Sequence, residues 1–409
     1  MKLSNTGDKR KRVAEDMLIN LIGTGLPLIA LQLIVYPIVA RTIDAEAYGR
    51  MQSLVSFIFL ISGTIGGALS TTRLIHQYDY DENHRVGDFS VLNLVSLGVV
   101  ALLTPIVISV YLGAVDVYEL ILITIVSCLN YAEMYFEVGL RLQLNYRKIF
   151  INKLIGAVGY LLGYLIFRCT LDWHYIFICA YLFQLCYCIF NTDLIREPLV
   201  RSSVFPDTIH SYGNITLASA FNKSLTYFDK LLLYPLLGGE AVSVYYAANI
   251  FGKLVLQVLE PITNVILSYL SKEKKVSRSI WSLTITIGTA FCLLMYVFCL
   301  LVSRFVLTIL YPQWVDAAMR LIPISTLSLC ISSFVNIIHP LALKSIKTNR
   351  QIVISGGGLA VYIILALSLY RPYGLMGCCF ALLLSYTVKL ALILLYCFVI
   401  DRGVQTSDE

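Results

Sequence analysis

Apolar runs recur along the whole of this chain, each about 20 residues long, the length an α-helix needs to cross the hydrocarbon of a bilayer. The first is Leu18–Ala40 and the last is Leu375–Ile400. Between them the pattern predicts spans at Tyr48–Thr72, Ser90–Leu112, Tyr118–Val138, Ile149–Phe167 and Tyr175–Ile195. Further spans are predicted at Asn214–Leu237, Ala241–Leu270, Ile280–Val302, Leu321–Leu343 and Gln351–Tyr370. The runs are too long for the alternating strands of an outer-membrane barrel. Only 14% of the 409 residues are charged, against about 25% in a soluble domain. No connecting segment is long or polar enough for a separate soluble domain. The expected fold class is an all-α integral membrane protein with about twelve transmembrane helices.

Basic residues orient these spans, because cytoplasmic loops are enriched in Lys and Arg. With the N-terminus inside, 21 of the 31 Lys and Arg residues fall on the inner side and six on the outer; four lie within spans. Both termini are thus expected in the cytoplasm. The basic N-terminal segment carries no small-residue cleavage site after a short apolar run and reads as a retained cytoplasmic end, not a signal peptide. The net charge of +6 reflects that inner face, and nucleic acid is not an expected partner.

The two halves echo each other. Tyr36-Pro37 ends the first span and Tyr234-Pro235 the seventh. An acid-bearing turn follows each (Asp44 and Glu46; Glu240). Ala47-Tyr48 and Val244-Tyr245 then open long helices, at offsets of 198 and 197 residues. An offset of six helices makes the repeats parallel, an arrangement found among transporters with the substrate site between the halves. The expected organisation is two six-helix lobes related by pseudo-two-fold symmetry. These are residues 1–195 and 213–400, joined by a cytoplasmic loop at 196–212 and followed by a cytoplasmic tail at 401–409.

Charge inside a span is costly and is normally turned toward a bundle interior or a wet cavity. Tyr246, Asn249, Lys253, Gln257 and Glu260 recur at steps of three or four on the eighth span, so they share one helical face. That stripe reads either as a hydrated wall facing substrate or as a dry polar seam. On the seventh span Lys223, Tyr227 and Lys230 share a face, with Asp229 beside them. Lys223 and Lys253 are the candidate counter-charges for a diphosphate. Asp229 is expected to pair locally and Lys230 to snorkel outward. On the fourth span Asn130, Glu133, Glu137 and Arg141 repeat the pattern. Glu133 reads as a coupling residue or as a carboxylate satisfied by a lysine from the other half; Glu260 is a second coupling candidate. Lys389 is a lumen cation or a snorkelling side chain.

Eleven cysteines lie almost entirely inside apolar runs, with no metal-type spacing to histidine. They read as small buried residues, and neither a metal nor a cofactor is expected. No phosphate-binding glycine loop, HExxH or nucleophile elbow is present, so no catalytic residue is assigned.

The first helix pair, LINLIGTGLPLIALQLIVYPIVARTIDAEAYGRMQ, resembles the N-terminus of the polysaccharide/O-antigen flippase family. That family belongs to the superfamily of multidrug, oligosaccharidyl-lipid and polysaccharide exporters. The segment FDKLLLYPLLGGEAVSVYYAANIFGKLV resembles its seventh and eighth helices, although Gly238-Gly239-Glu240 and Tyr245-Tyr246 depart from the commonest forms. The resemblance implies a non-enzymatic flippase of the bacterial inner membrane. It would move undecaprenyl-diphosphate-linked oligosaccharide between leaflets by alternating access, for O-antigen or other surface polysaccharide biosynthesis. The implied partners are the lipid-linked oligosaccharide, membrane lipids, and a polysaccharide polymerase with its chain-length proteins. The alternatives are an ion-coupled multidrug or small-molecule exporter of the same superfamily, and a membrane glycosyl-transfer enzyme.

Overall fold

The structure is a computed structural model that describes residues 22, 23, 25–83, 85–270, 278–345 and 348–396. Side chains at 225, 251, 255–270, 278–280, 283, 339–345, 348–352 and 355 lie outside what is described. Among the described residues, ten helical runs are long and apolar enough to cross a membrane. Two of these, Thr226–Ile250 and Gly356–Leu395, contain a break, at Gly238 and at Gly374. Divided at those two breaks, the ten runs become twelve, the number expected from apolar length. Gly238 has φ of 81°, a left-handed value that costs glycine nothing and other residues strain.

The first run, Gly25–Thr42, holds two segments, α1 (Ile29–Val35) and α2 (Tyr36–Thr42). The first is π-wound, and the Tyr36 amide bonds back to the Leu31 carbonyl, five residues earlier. Pro37 has no amide to continue the regular ladder, and a wider turn before it accommodates the missing bond. There follow α3 (Ala45–Glu82), α4 (Asp88–Leu112), α5 (Val117–Leu142), α6 (Tyr146–Thr170) and α7 (His174–Asn191). The broken α8 (Phe205–Leu270) precedes α9 (Arg278–Leu310), α10 (Val315–Ser345) and the broken α11 (Thr348–Leu395).

Helices outrun the apolar runs at several ends. The segment from Arg73 onward, expected as a polar loop, continues α3 to Glu82. No Gly or Pro interrupts it before Gly87. Its polar residues are also held: Arg73 pairs with Glu197 and donates to the Tyr135 hydroxyl at 2.9 Å. Likewise the segment 303–320, between the expected spans Ile280–Val302 and Leu321–Leu343, is mostly helix, the end of α9 and the start of α10. Within the expected inter-lobe loop at 196–212, Phe205 already begins α8.

By contacts the chain divides into two compact units. One comprises the described residues up to Val39 together with Leu54–Lys223; the other comprises Ala40–Ser53 with the described residues from Ser224 onward. In the first unit, Leu69, Tyr80, Phe89, Leu92, Val100, Tyr131 and Tyr135 form a buried cluster. Elsewhere in this unit, helices α6 and α7 meet along a glycine seam. A Cβ on Gly159 would lie 2.5 Å from the Ala180 Cα, and one on Gly163 would lie 2.6 Å from the Ile176 Cα. Small residues at this spacing let membrane helices approach closely, where apolar burial supplies no driving force. In the second unit, Trp281, Val335, Ile338, Ile354 and Ile393 form the corresponding core. Leu293, Leu294, Val297, Leu301 and Phe305 of α9 are exposed, an apolar face suited to lipid.

Candidate functional site: two buried charge clusters

In the second unit the two halves of α8 turn back on each other at Gly238, bringing Asp229 and Lys253 together. Lys253 Nζ lies 3.3 Å from Asp229 Oδ2. The Tyr245 hydroxyl donates to the same oxygen at 2.9 Å, and the Lys230 amide donates to Asp229 Oδ1 at 2.8 Å. Lys230 Nζ is 3.9 Å from Asp229 Oδ1 and 5.7 Å from the centre of the Tyr227 ring. One carboxylate thus faces two lysines. Asp229 and Lys230 have side chains 4% and 7% exposed, whereas Lys253 retains 20%. Two lysines face this one carboxylate; Lys253 is the more accessible of them, and Lys230, expected to snorkel outward, is instead buried beside Asp229. Asp229, expected to have only a local structural role, is the centre that holds Lys253.

The remainder of the eighth-span stripe divides. Tyr246 is buried among Tyr48 and Tyr311, with ring centres 6.0 and 6.3 Å away. Asn249 is fully buried; its Nδ2 donates to the Tyr245 carbonyl, while its Oδ1 has no partner. Both side chains are thus packed inside the second unit. Gln257 and Glu260 lie within α8, but their side chains lie outside the described residues.

Lys223 belongs to the first unit and Lys253 to the second. The Lys223 Nζ donates to the Gly63 carbonyl at 2.6 Å. Cβ atoms on Gly63 and Gly67 would lie 3.2 and 3.6 Å from that nitrogen, so these glycines make the space it fills.

The first unit holds the second cluster. Lys153 of α6 bridges two carboxylates of α5, with Nζ 3.2 Å from Glu133 Oε1 and in contact with Glu137 Oε2. Arg141 donates to Glu137 Oε1 at 2.6 Å, one turn along α5. Asn152 Nδ2 lies 3.4 Å from Glu133 Oε1 and 3.4 Å from Glu137 Oε2, and Gln184 of α7 reaches Glu133 Oε1 at 3.3 Å. The expected lysine from the other half is therefore corrected to Lys153, on the next helix of the same unit. Lys153 sits near the start of the expected Ile149–Phe167 span, where the basic residues of the preceding loop mask it. The missed signal was Asn145, whose side chain accepts from the Lys148 amide and caps α6 early enough to place Lys153 two turns inside.

At the acid-bearing turns, Glu46 Oε2 accepts from the Gly239 and Glu240 amides at 2.7 and 3.1 Å. Asp44 Oδ1 accepts from the Ala47 amide at 2.8 Å. Both acids act as caps for helix starts. Among the described residues no group of His, Cys, Asp and Glu has the makings of a metal site.

These features define an all-α membrane fold in which each compact unit buries a charge cluster. The same fold occurs in solved transporters. The chain is similar to the lipid II flippase MurJ in an inward closed conformation, at a TM-score of 0.69 and 14% identity, covering 93% of this chain and 85% of that one. It is similar to an outward-facing multidrug resistance MATE family transporter of the MOP superfamily, at a TM-score of 0.63 and 13% identity, covering 96% of each. The Vibrio cholerae MATE transporter VcmN in its bent form aligns at a TM-score of 0.60 and 16% identity, over 94% of this chain and 95% of that one. No protein-family model and no curated protein sequence matches the chain.

Proposed function

We propose that this protein is a transporter that flips an undecaprenyl-diphosphate-linked oligosaccharide across the bacterial inner membrane by alternating access. It is a carrier, not an enzyme, and both termini are cytoplasmic. The observation that carries this reading is the pairing of two lysines with the one carboxylate of Asp229, with Lys253 the more accessible of the two. An anionic diphosphate cannot enter hydrocarbon unshielded, and Lys253, whose side chain is partly exposed, supplies a counter-charge. Tyr227 is a further contact in the same reading, and Glu133 is its coupling residue. Likeness to a lipid II flippase supports a lipid-linked substrate.

Likeness to multidrug transporters supports a second reading, an exporter of small molecules. An exporter of soluble cations needs excess acid where this chain has excess lysine, so the flippase reading is favoured. The test is mass spectrometry of lipid-linked intermediates in a strain lacking the protein. Accumulation of undecaprenyl-diphosphate oligosaccharide, with no change in drug sensitivity, is the expected result. Normal intermediate levels with heightened drug sensitivity would replace it with the exporter reading.

A further inference from the structure

We propose that Lys389 is an anion-binding residue of the second unit, and that its ligand is a phosphate of the lipid-linked substrate. The inference rests on the flippase reading for the identity of that ligand; the unpaired cation stands on the structure. Two hairpins of the second unit share one plan. Gly238 and Gly374 each break a long helix, with φ of 81° and 55°, and a returning helix follows each break. Lys253 and Lys389 each stand fifteen residues beyond their break. The rest of α8, α9, α10 and the first segment of α11 lie between the breaks, four helices in all, so both breaks come at the same end of the unit. Fifteen residues of α-helix span about 22 Å, less than the roughly 30 Å of hydrocarbon. Lys389 thus lies inside the apolar run Gly356–Leu395, at the level along its helix that Lys253 has along its own.

The returning segment of α11 sets Lys389 on its inward stripe. Cys379, Leu382, Tyr386 and Ile393, at steps of three and four through Lys389, are buried, whereas Phe380, Leu384 and Leu395 are exposed. The lysine stem lies against the earlier segment of α11: a Cβ on Gly358 would be 3.6 Å from the Lys389 Cβ and 3.8 Å from its Cδ. Ser385, one turn before, fixes the same place by donating to the Gly358 carbonyl at 2.6 Å. This placement favours an inward cation over a snorkelling side chain. Among the described residues, no ion pair or hydrogen bond reaches Lys389. The described carboxylates of the unit are committed elsewhere. Asp229 holds Lys230 and Lys253, Asp44 and Glu46 accept from backbone amides, and Glu240 and Asp316 are exposed at helix starts. An unpaired cation within a membrane-spanning segment is costly, and an incoming anion removes that cost. Lysine is a compact point charge with three donors, suited to phosphate. A polyprenyl diphosphate and an ordinary anionic phospholipid both present phosphate at this depth, and the flippase reading selects the first.

Thermal unfolding of the purified full-length protein in detergent tests this, alone, with undecaprenyl diphosphate and with phosphatidylglycerol. Undecaprenyl diphosphate is expected to raise the wild-type midpoint at concentrations where phosphatidylglycerol does not. Lys389→Met keeps the stem and removes the charge. Without ligand it should unfold at or above the wild-type temperature, because an unpaired cation has gone. It should then need about tenfold more undecaprenyl diphosphate for the same shift, the scale of one charged hydrogen bond. Lys389→Arg should keep most of the response. A lower midpoint for Lys389→Met without ligand, or its failure to fold where Lys389→Arg folds, would mark a structural role and overturn the proposal. An unchanged dose response, or no response in wild type, would overturn it too, and would leave the flippase reading standing if lipid-linked intermediates accumulate in the deletion strain. Equal shifts from both lipids, both lost in Lys389→Met, would keep the phosphate contact and overturn its assignment to the substrate. A diphosphate response lost in Lys389→Met, in a protein whose deletion leaves lipid-linked intermediates unchanged, would keep the anion site and remove the flippase reading.

Discussion

Lys253 and Asp229 are 24 residues apart in sequence, and their side chains pair at 3.3 Å. On an unbroken helix that separation spans about 36 Å. The break at Gly238 folds the chain back and makes the pair. Because Asp229 retains Lys230 when Lys253 is removed, Lys253→Ala should leave the protein folded while removing the accessible cation. We expect surface polysaccharide to fall about tenfold, the worth of ~1.4 kcal/mol of lost substrate contact, at unchanged protein abundance. Lys253→Arg should keep most of it. Wild-type polysaccharide with Lys253→Ala would remove this residue from the site.

Asp229 should behave differently. Asp229→Ala strands two lysines in a buried setting, which typically costs about 3–5 kcal/mol. The expected outcome is a lower unfolding temperature in detergent and reduced abundance. Adding Lys230→Met to Asp229→Ala should recover part of the loss, since it removes the more buried of the two cations. No recovery would argue that Asp229 acts through the Tyr245 hydroxyl bond instead.

Glu46 tests whether the turn contact is an N-cap. Glu46→Ala deprives the Gly239 and Glu240 amides of their acceptor, and a lost cap costs about 1 kcal/mol. Glu46→Gln keeps an acceptor oxygen but no charge and should cost less. Thermal unfolding of the three proteins should rank wild type above Glu46→Gln above Glu46→Ala; equal midpoints would show that the contact contributes nothing.

The glycine seam between α6 and α7 makes the sharpest packing prediction. Gly159→Leu forces a side chain into the space of the Ala180 backbone. Overpacking of this kind costs about 1–3 kcal/mol or more when backbone must move. Gly98→Leu, on α4 where nothing lies within 4 Å of a Cβ, is the control. Folded yield by size-exclusion chromatography should collapse for the first and hold for the second.

Apolar run length by itself determined the helical membrane fold. A helix must satisfy its own backbone in lipid, and each run was long enough to do so. Periodicity also grouped Glu133, Glu137 and Arg141 on one face, and the Glu137–Arg141 pair follows directly from their four-residue spacing. Helix ends were less legible, because polar residues such as Arg73 and Tyr80 continue a helix when distant segments bond them. Charge pairing was decided only by tertiary structure. The 3.6-residue period fixes which face a side chain occupies, but not which neighbouring helix that face meets or at what depth. Packing joined Lys153 to Glu133 and Glu137 from an adjacent helix, and it turned Tyr246 into a buried aromatic cluster. The glycine break at 238, legible only as a turn, was what carried Lys253 to Asp229.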